Sequence, residues 1–556
     1  MSPHCLWKLL AAREEHMSMA LFIKGYWNHL AGGFAPRQKR LDRLRARWGQ
    51  PGRGDGQLAS LYFGLTRDDC ADACVDDGTW SDLEFPKIFA RMDTTVTPLG
   101  RQVLYRQLRT REDDPAVLAT RFASYAWLRK HRDMREQIQL CLATLDRDGS
   151  THMPRHLLGT IPESGKYHGL LVAWAVISIA IIALALPLSL PAALFVPVLA
   201  INFGISVVSM GSVRFKMEVL QRCMDLIGVS ERLAAMHADA PALPQLAALE
   251  REKASRMRCA RVLRGLRVIV GMDAQKAPVV AEIVSAIKTL LLIEVLVVNR
   301  ALRRFAQARG NLVKSFELVG SVDAAIAVAS WLESAHVHCQ PEHDDGERLA
   351  IVGGQHPLID HGVGNDIRVH GKSVLVTGSN MAGKTTFIKM VGINLILGRN
   401  LGVCLAKSAV VPRGRVMASI QNRHSVESGK SHYFAEIDTI KSFIDLSRQP
   451  GFNVFLIDEP FNGTNTVERI AIARAVLQAL SRNACVFVTT HDVELQGLLG
   501  ESHLLYHFEE NPGVDGFFDY RLKPGASRNR NAIRLLDRIG FPGDVVAQAM
   551  AWASEA

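Results

Sequence analysis

The chain has 556 residues, 48% hydrophobic and 22% charged, a balance that builds packed cores and excludes wholesale disorder. At about 150 residues per domain, this length predicts three or four structural units. A net charge of +10 admits a polyanionic partner without requiring one.

Nine cysteines, an odd number, show no bridge framework, and a reducing compartment is expected. Cys70 and Cys74, the only close pair, read as helical or loop thiols. His336, His338, Cys339 and His343 lack a second ligand pair at finger spacing, so no metal is expected there.

The first 21 residues are broken by Lys8, Arg13, Glu14 and Glu15 and do not read as a secretory signal. Residues 1–80 are expected to form an N-terminal basic helical segment, with Arg37, Lys39, Arg40, Arg43, Arg45, Arg47 and Arg53 against Asp42. Residues 81–165 read as the first part of a helical core.

From 167 to 213 there is no Asp, Glu, Lys or Arg. The stretches 169–188 and 190–210 are each as long as a helix that crosses a bilayer, about 20 residues. Pro187, Ser189 and Pro191 mark a reversal between them, and Lys166, Arg214 and Lys216 put positive charge on one side. The expectation is a two-helix transmembrane hairpin over 166–214. Its anchor is 169–210, and a multi-pass membrane protein with both termini and the C-terminal domain in the cytoplasm follows.

Residues 215–345 read as long helices that complete the core, with Met217, Leu220, Met224 and Ile227 at helical spacing. They carry two basic clusters. Arg251, Lys253, Arg256, Arg258, Arg261, Arg264 and Arg267 form one, and Arg300, Arg303, Arg304 and Arg309 the other. Three readings stay open: a solvated face, anionic lipid, or non-specific DNA contact through residues such as Arg256, Arg261 and Arg264.

Over 346–556 short β-branched runs alternate with glycines and helices, the pattern of an α/β domain. The strand Ser373–Thr377 leads into Gly378, Ser379, Asn380, Met381, Ala382, Gly383, Lys384, Thr385 and Thr386, and a helix follows. This is G-x-x-x-x-G-K-[ST] in its strand–loop–helix context. The glycines let backbone N–H groups wrap phosphates, Lys384 reaches the β- and γ-phosphates, and Thr385 ligates Mg²⁺. Downstream, the apolar strand 454–457 delivers Asp458 and Glu459, suited to a Mg²⁺ carboxylate and a general base. Strand 486–490 ends at His491, placed to sense the γ-phosphate.

These residues, with the continuation Lys389, Gly392 and Asn394, resemble the MutS family of DNA mismatch-repair ATPases, a branch of the ABC-type ATPases. Ser428 to Glu436 resembles the family's signature segment, and the resemblance implies that Ser431 completes the ATP site of a partner subunit. Gly463 to Thr466 is similar to the D-loop, Thr489 to His491 to the switch, Tyr520 to Gly525 with Asn531 and Gly540 to the closing segment, and Gln355 to Leu358 to the opening element. A softer likeness covers 80–165 and Glu317 to Ala325.

The resemblance implies an ATP- and Mg²⁺-dependent ATPase acting as a homodimer through its ATPase domains, with closure coupled to DNA and a relation to mismatch repair. The signature departs at His432 and Tyr433, and Pro460 and Phe461 follow the acidic pair. Residues 1–80 are too short for the mismatch-reading and connector domains and carry no Phe-x-Glu wedge, so no mismatch specificity is expected. The alternative is a membrane ATPase that has lost DNA and acts on a protein or lipid partner.

Overall fold

The computed structural model describes residues 37–52, 58–145, 150–159, 168–185, 192–257, 260, 288, 291–379, 382–420, 432–510, 518–526 and 540–555. The helical part comprises α1 (Arg37–Arg47), α2 (Asp77–Asp82), α3 (Phe85–Met92), α4 (Pro98–Arg109), α5 (Pro115–Lys130), α6 (Arg132–Leu142), α7 (His168–Ala185), α8 (Ala192–Ala234), α9 (Pro244–Arg251) and α10 (Ile293–Ser334).

Local chemistry starts these helices. The Asp76 carboxylate accepts the Thr79 N–H at the start of α2, Thr97 accepts the Gly100 N–H ahead of Pro98, and Asp114 accepts the Ala116 N–H ahead of Pro115. A short side-chain acceptor followed by proline satisfies one orphan donor and presets the first helical φ.

The 42-residue α10 is the axis of the helical part and packs on α4, α5 and α8. At its centre Asp323 is fully buried and accepts from the Val96 N–H (3.0 Å), the Thr97 N–H (2.8 Å) and the Thr97 hydroxyl (2.6 Å). A Cβ at Gly100 would stand 2.3 Å from the same carboxylate, so glycine is required for the approach.

The expected transmembrane hairpin over 166–214 is corrected. Among the described residues no helix is long and apolar enough to cross a membrane, and the expected multi-pass membrane localisation goes with it. The 18 residues of α7 span about 27 Å at 1.5 Å per residue, short of a hydrocarbon core of about 30 Å. The second stretch does not end at the flanking cations. Arg214 and Lys216 lie inside α8, which runs on for 43 residues and buries Leu220, Leu226 and Leu233 in the helical core. Between the two helices Trp174 donates to the buried Asn202 at 2.7 Å. Their outer faces expose apolar side chains, Val208 at 88% and Leu170 at 68% among them.

The C-terminal part is an α/β domain. Strands β1 (Glu342–Asp344), β2 (Arg348–Gly354), β3 (Asn365–His370) and β5 (Ser408–Pro412) form a four-stranded sheet in the order β1-β5-β2-β3. Strands β4 (Ser373–Thr377), β6 (Arg415–Ser419), β7 (Asn453–Asp458), β8 (Cys485–Thr490), β9 (His503–Glu510) and β10 (Phe518–Pro524) form a six-stranded sheet in the order β10-β9-β4-β8-β7-β6. All its pairings are parallel except β9 with β10. Strands β4 and β8 are buried along their whole length, which explains their uninterrupted apolar runs. Helices α11 (Lys384–Leu401), α12 (His432–Ser447) and α13 (Thr466–Leu480) connect the strands.

Removing the Asp323 carboxylate leaves three buried donors without an acceptor. Asp323→Ala is expected to lower unfolding stability by about 3 kcal/mol or more, measured by denaturant titration.

Candidate nucleotide site

The site lies at the carboxyl ends of β4, β7 and β8, where an open parallel sheet leaves its crevice. Gly378 (φ +135°) and Gly383 (φ +103°) both sit in the left-handed region that turns β4 into α11. At Gly378 a Cβ would also meet the Phe508 carbonyl at 2.8 Å. Asn380 and Met381, the middle of the loop, lie outside the described residues, as does Ser431. Ala382 is buried, and Thr386 opens α11 beside Thr385.

Lys384 is 1% exposed; its ammonium donates to the Gly378 carbonyl at 2.7 Å and lies 3.6 Å from Glu459 Oε1. Burial holds its pKa below the ordinary lysine value, against the pull of Glu459 and Asp458. The Thr385 hydroxyl donates to Asp458 Oδ2 at 2.7 Å, and the Thr489 hydroxyl donates to Oδ1 of the same carboxylate. Burial pushes the Asp458 carboxyl up, and the two hydroxyls pull it back down.

Glu459 adopts φ +46°, and its N–H donates to the Thr489 carbonyl at 2.9 Å. Asn462 donates to Oε2 at 2.9 Å, while Oε1 faces Lys384 and the His491 ring, whose Nδ1 stands 3.6 Å away. His491 is half-exposed and has Asp492 on its other side; Asp492 is locked by two hydrogen bonds from Arg469, at 2.9 and 2.6 Å.

The candidate residues Lys384, Thr385, Asp458, Glu459 and His491 thus converge on one point from three elements. The residues fit a nucleotide and its metal. Ser379 Oγ is buried with no hydrogen-bond partner among the described residues, beside a lysine and a hydroxyl–carboxylate pair at the start of a helix. A cavity of about 460 Å³ opens beside Gly383 and Thr385, lined by His356, Asn365, Phe387, Phe508 and Tyr520. Tyr520 (φ +51°) is held there by Asn365, which donates to its carbonyl at 3.0 Å.

Several contacts carry no motif of their own. Glu436, on α12, is buried and accepts the Phe461 N–H at 2.6 Å, tying the signature helix to the turn after Glu459. Tyr433 packs on Gly463, where a Cβ would come within 2.9 Å of its ring. Lys389 reaches Glu84 of the helical part at 3.1 Å. The basic cluster gives a different result. Arg256 is 1% exposed and donates to Glu231 at 3.1 Å, so it is a buried pair and no part of an open cationic face. Arg261 and Arg264 lie outside the described residues.

Residues 374–556 match the family model described as MutS domain V. The chain is also similar to the DNA mismatch repair protein MutS of Natronomonas pharaonis, 27% identical over 256 residues, which cover 44% of this chain and 29% of the relative. The protein of the same name from Thermus thermophilus is 28% identical over 264 residues, 46% of this chain and 32% of the relative. That of Thermus aquaticus is 30% identical over 215 residues, 37% and 26%. The chain therefore spans a third or less of the length of these relatives. The glycine turn, the Lys384 contacts and the Asp458 hydroxyl pair all fall inside the matched residues 374–556.

Proposed function

We propose that the chain is a Mg²⁺-dependent ATPase of the MutS type that acts as a homodimer and couples closure to DNA binding. The observation that carries this reading is the single carboxylate of Asp458, shared by the hydroxyls of Thr385 and Thr489, with Lys384 and Glu459 facing each other beside it.

Lys384 holds the β- and γ-phosphates from a dry position where its charge is least screened. Thr385 and Asp458 hold Mg²⁺, which when bound neutralises phosphate charge. The base of the nucleotide takes the cavity lined by His356, Phe387 and Tyr520. Glu459 accepts a proton from the attacking water, with Asn462 fixing one carboxylate oxygen so that the other faces the reaction. His491 positions Glu459 and reports the γ-phosphate to Asp492 and Arg469. Ser431 serves the nucleotide of a second subunit. Its segment leads directly into α12, which Glu436 links to the turn after Glu459.

That the relatives are DNA mismatch repair proteins supports DNA as the partner. Contact is proposed through phosphates, with Arg261 and Arg264 as donors and without mismatch preference. The domain arrangement proposed is a MutS-type ATPase domain over 346–556 serving helical segments over 81–165 and 215–345.

Glu459→Gln is expected to bind ATP as wild type does while turnover falls by roughly 100-fold or more, measured by phosphate release and nucleotide binding in parallel. A mixture of Ser431→Ala and Lys384→Ala proteins should regain part of the turnover that each lacks alone, because one composite site is then intact. Turnover per subunit that stays constant on dilution to monomer rules out the composite site. For DNA, a G·T-mismatched duplex should compete no better than its matched twin, and both should weaken steeply with salt. A mismatch preference of about tenfold, roughly 1.4 kcal/mol, overturns this part of the reading.

A further inference from the structure

Two thiols face each other at the seam between the helical part and the six-stranded sheet. Cys70 Sγ and Cys74 Sγ stand 3.2 Å apart, and both residues are half-buried and free. They lie in and just after the short helix Asp68–Ala73, where Cys70 itself leaves the helical region at φ −136° and ψ 28°. The kink turns the first sulfur toward the second. A disulfide requires the two sulfurs to close to about 2.0 Å.

The segment is fastened on both sides. Cys74 pairs with Thr110 in an isolated antiparallel bridge, the Val75 N–H donates to the Arg109 carbonyl at 2.8 Å, and the Arg111 N–H donates to the Ala73 carbonyl at 2.8 Å. Asp72 accepts from Arg415 of β6 at 2.8 Å. A few residues on, Thr79 and Asp82 accept the N–H groups of Ala418 and Ile420 at 2.9 and 2.7 Å. A pocket of about 240 Å³ lined by Arg67, Ala73, Cys74 and Arg415 among others opens on the Cys74 side of the pair, and Cys70 is itself only half-buried.

We propose that Cys70 and Cys74 form a reversible redox site that a low-molecular-weight disulfide such as oxidised glutathione closes to an intramolecular bridge, and that closing it alters the ATPase sheet through β6. Burial and the Cys70 sulfur push the Cys74 thiol up to about 11, and its S–H is held by the Cys70 carbonyl at 2.9 Å. Cys70 is therefore the sulfur that attacks the oxidised glutathione. Its sulfur displaces one glutathione thiolate and forms a mixed disulfide. Cys74 then loses its proton to that thiolate, attacks the Cys70 sulfur and expels the second glutathione. The balance is two protein thiols and one oxidised glutathione in, one protein disulfide and two reduced glutathiones out. Among the described cysteines, Cys141, Cys223, Cys404 and Cys485 are buried and less accessible to the same reagent.

The test equilibrates the full chain with oxidised glutathione, blocks free thiols with iodoacetamide and maps peptides by mass. Both cysteines fall in one tryptic peptide, 68–87. The expected result is that this peptide loses two hydrogens, takes no label and regains two labels after excess reduced glutathione. ATP turnover should fall by roughly twofold or more on oxidation, recover on reduction, and not respond in Cys70→Ser or Cys74→Ser. Full labelling of 68–87 after oxidant, a stable mixed disulfide in place of the bridge, or a bridge with unchanged turnover each overturns the proposal. Turnover of the reduced chain is the control. Its absence counts against the ATPase reading, and the peptide map still decides whether the redox site exists.

Discussion

The helix α11, which follows the glycine turn, has almost no free surface. Sixteen of its eighteen residues are buried. One side meets the sheet and the other meets the helical part, so closely that a Cβ at Gly392 would stand 2.3 Å from Leu456 and 3.0 Å from Leu83. The end of the helix is gripped as well: Asn400 donates to the Leu108 carbonyl at 2.6 Å, and the Tyr125 hydroxyl donates to the Leu401 carbonyl at 3.2 Å. Close-packed interiors transmit displacement because they have no slack to absorb it. A shift of the loop at Gly378 to Thr385 is therefore a shift of α3, α4 and α5 too.

A second link runs in parallel. The stretch 72–84 holds β6 through Asp72, Thr79 and Asp82, and it holds α11 through Glu84 and Lys389. Glu84 takes φ +56° to do so. Strand β6 enters the segment that leads to Ser431, and α11 begins at Lys384. One short piece of the helical part thus touches both ends of the proposed nucleotide cycle. Two contacts on one rigid element respond together.

This division also explains what was legible in the sequence. Strands β4, β7 and β8 are buried on both faces, so their apolar runs stand out, and the chemistry at their ends is confined to a few residue types. The hairpin shows the opposite case. A charge-free run records apolarity, and it does not record where a helix stops. Nothing in 167–213 announces that α8 continues past Arg214 and Lys216 into the core. Arg256 failed as an exposed contact for a related reason, because its partner Glu231 is 25 positions away and helical spacing is blind to pairs between helices. Glu436, Lys389 and the Cys70–Cys74 pair became meaningful only once the fold supplied their neighbours.

The electrostatics of the site follow from the same burial. Desolvation lowers the Lys384 pKa and raises that of Asp458, so each charged form is disfavoured where it sits. Within the chain Lys384 meets Glu459 at 3.6 Å, and Asp458 is served by two neutral hydroxyls. Under the proposed function a polyphosphate with its cation would set an anion beside the lysine and a cation beside the carboxylate at once, whereas either alone would add charge of one sign only. The proposed site would therefore take nucleotide and metal together, at the start of a helix packed on both sides.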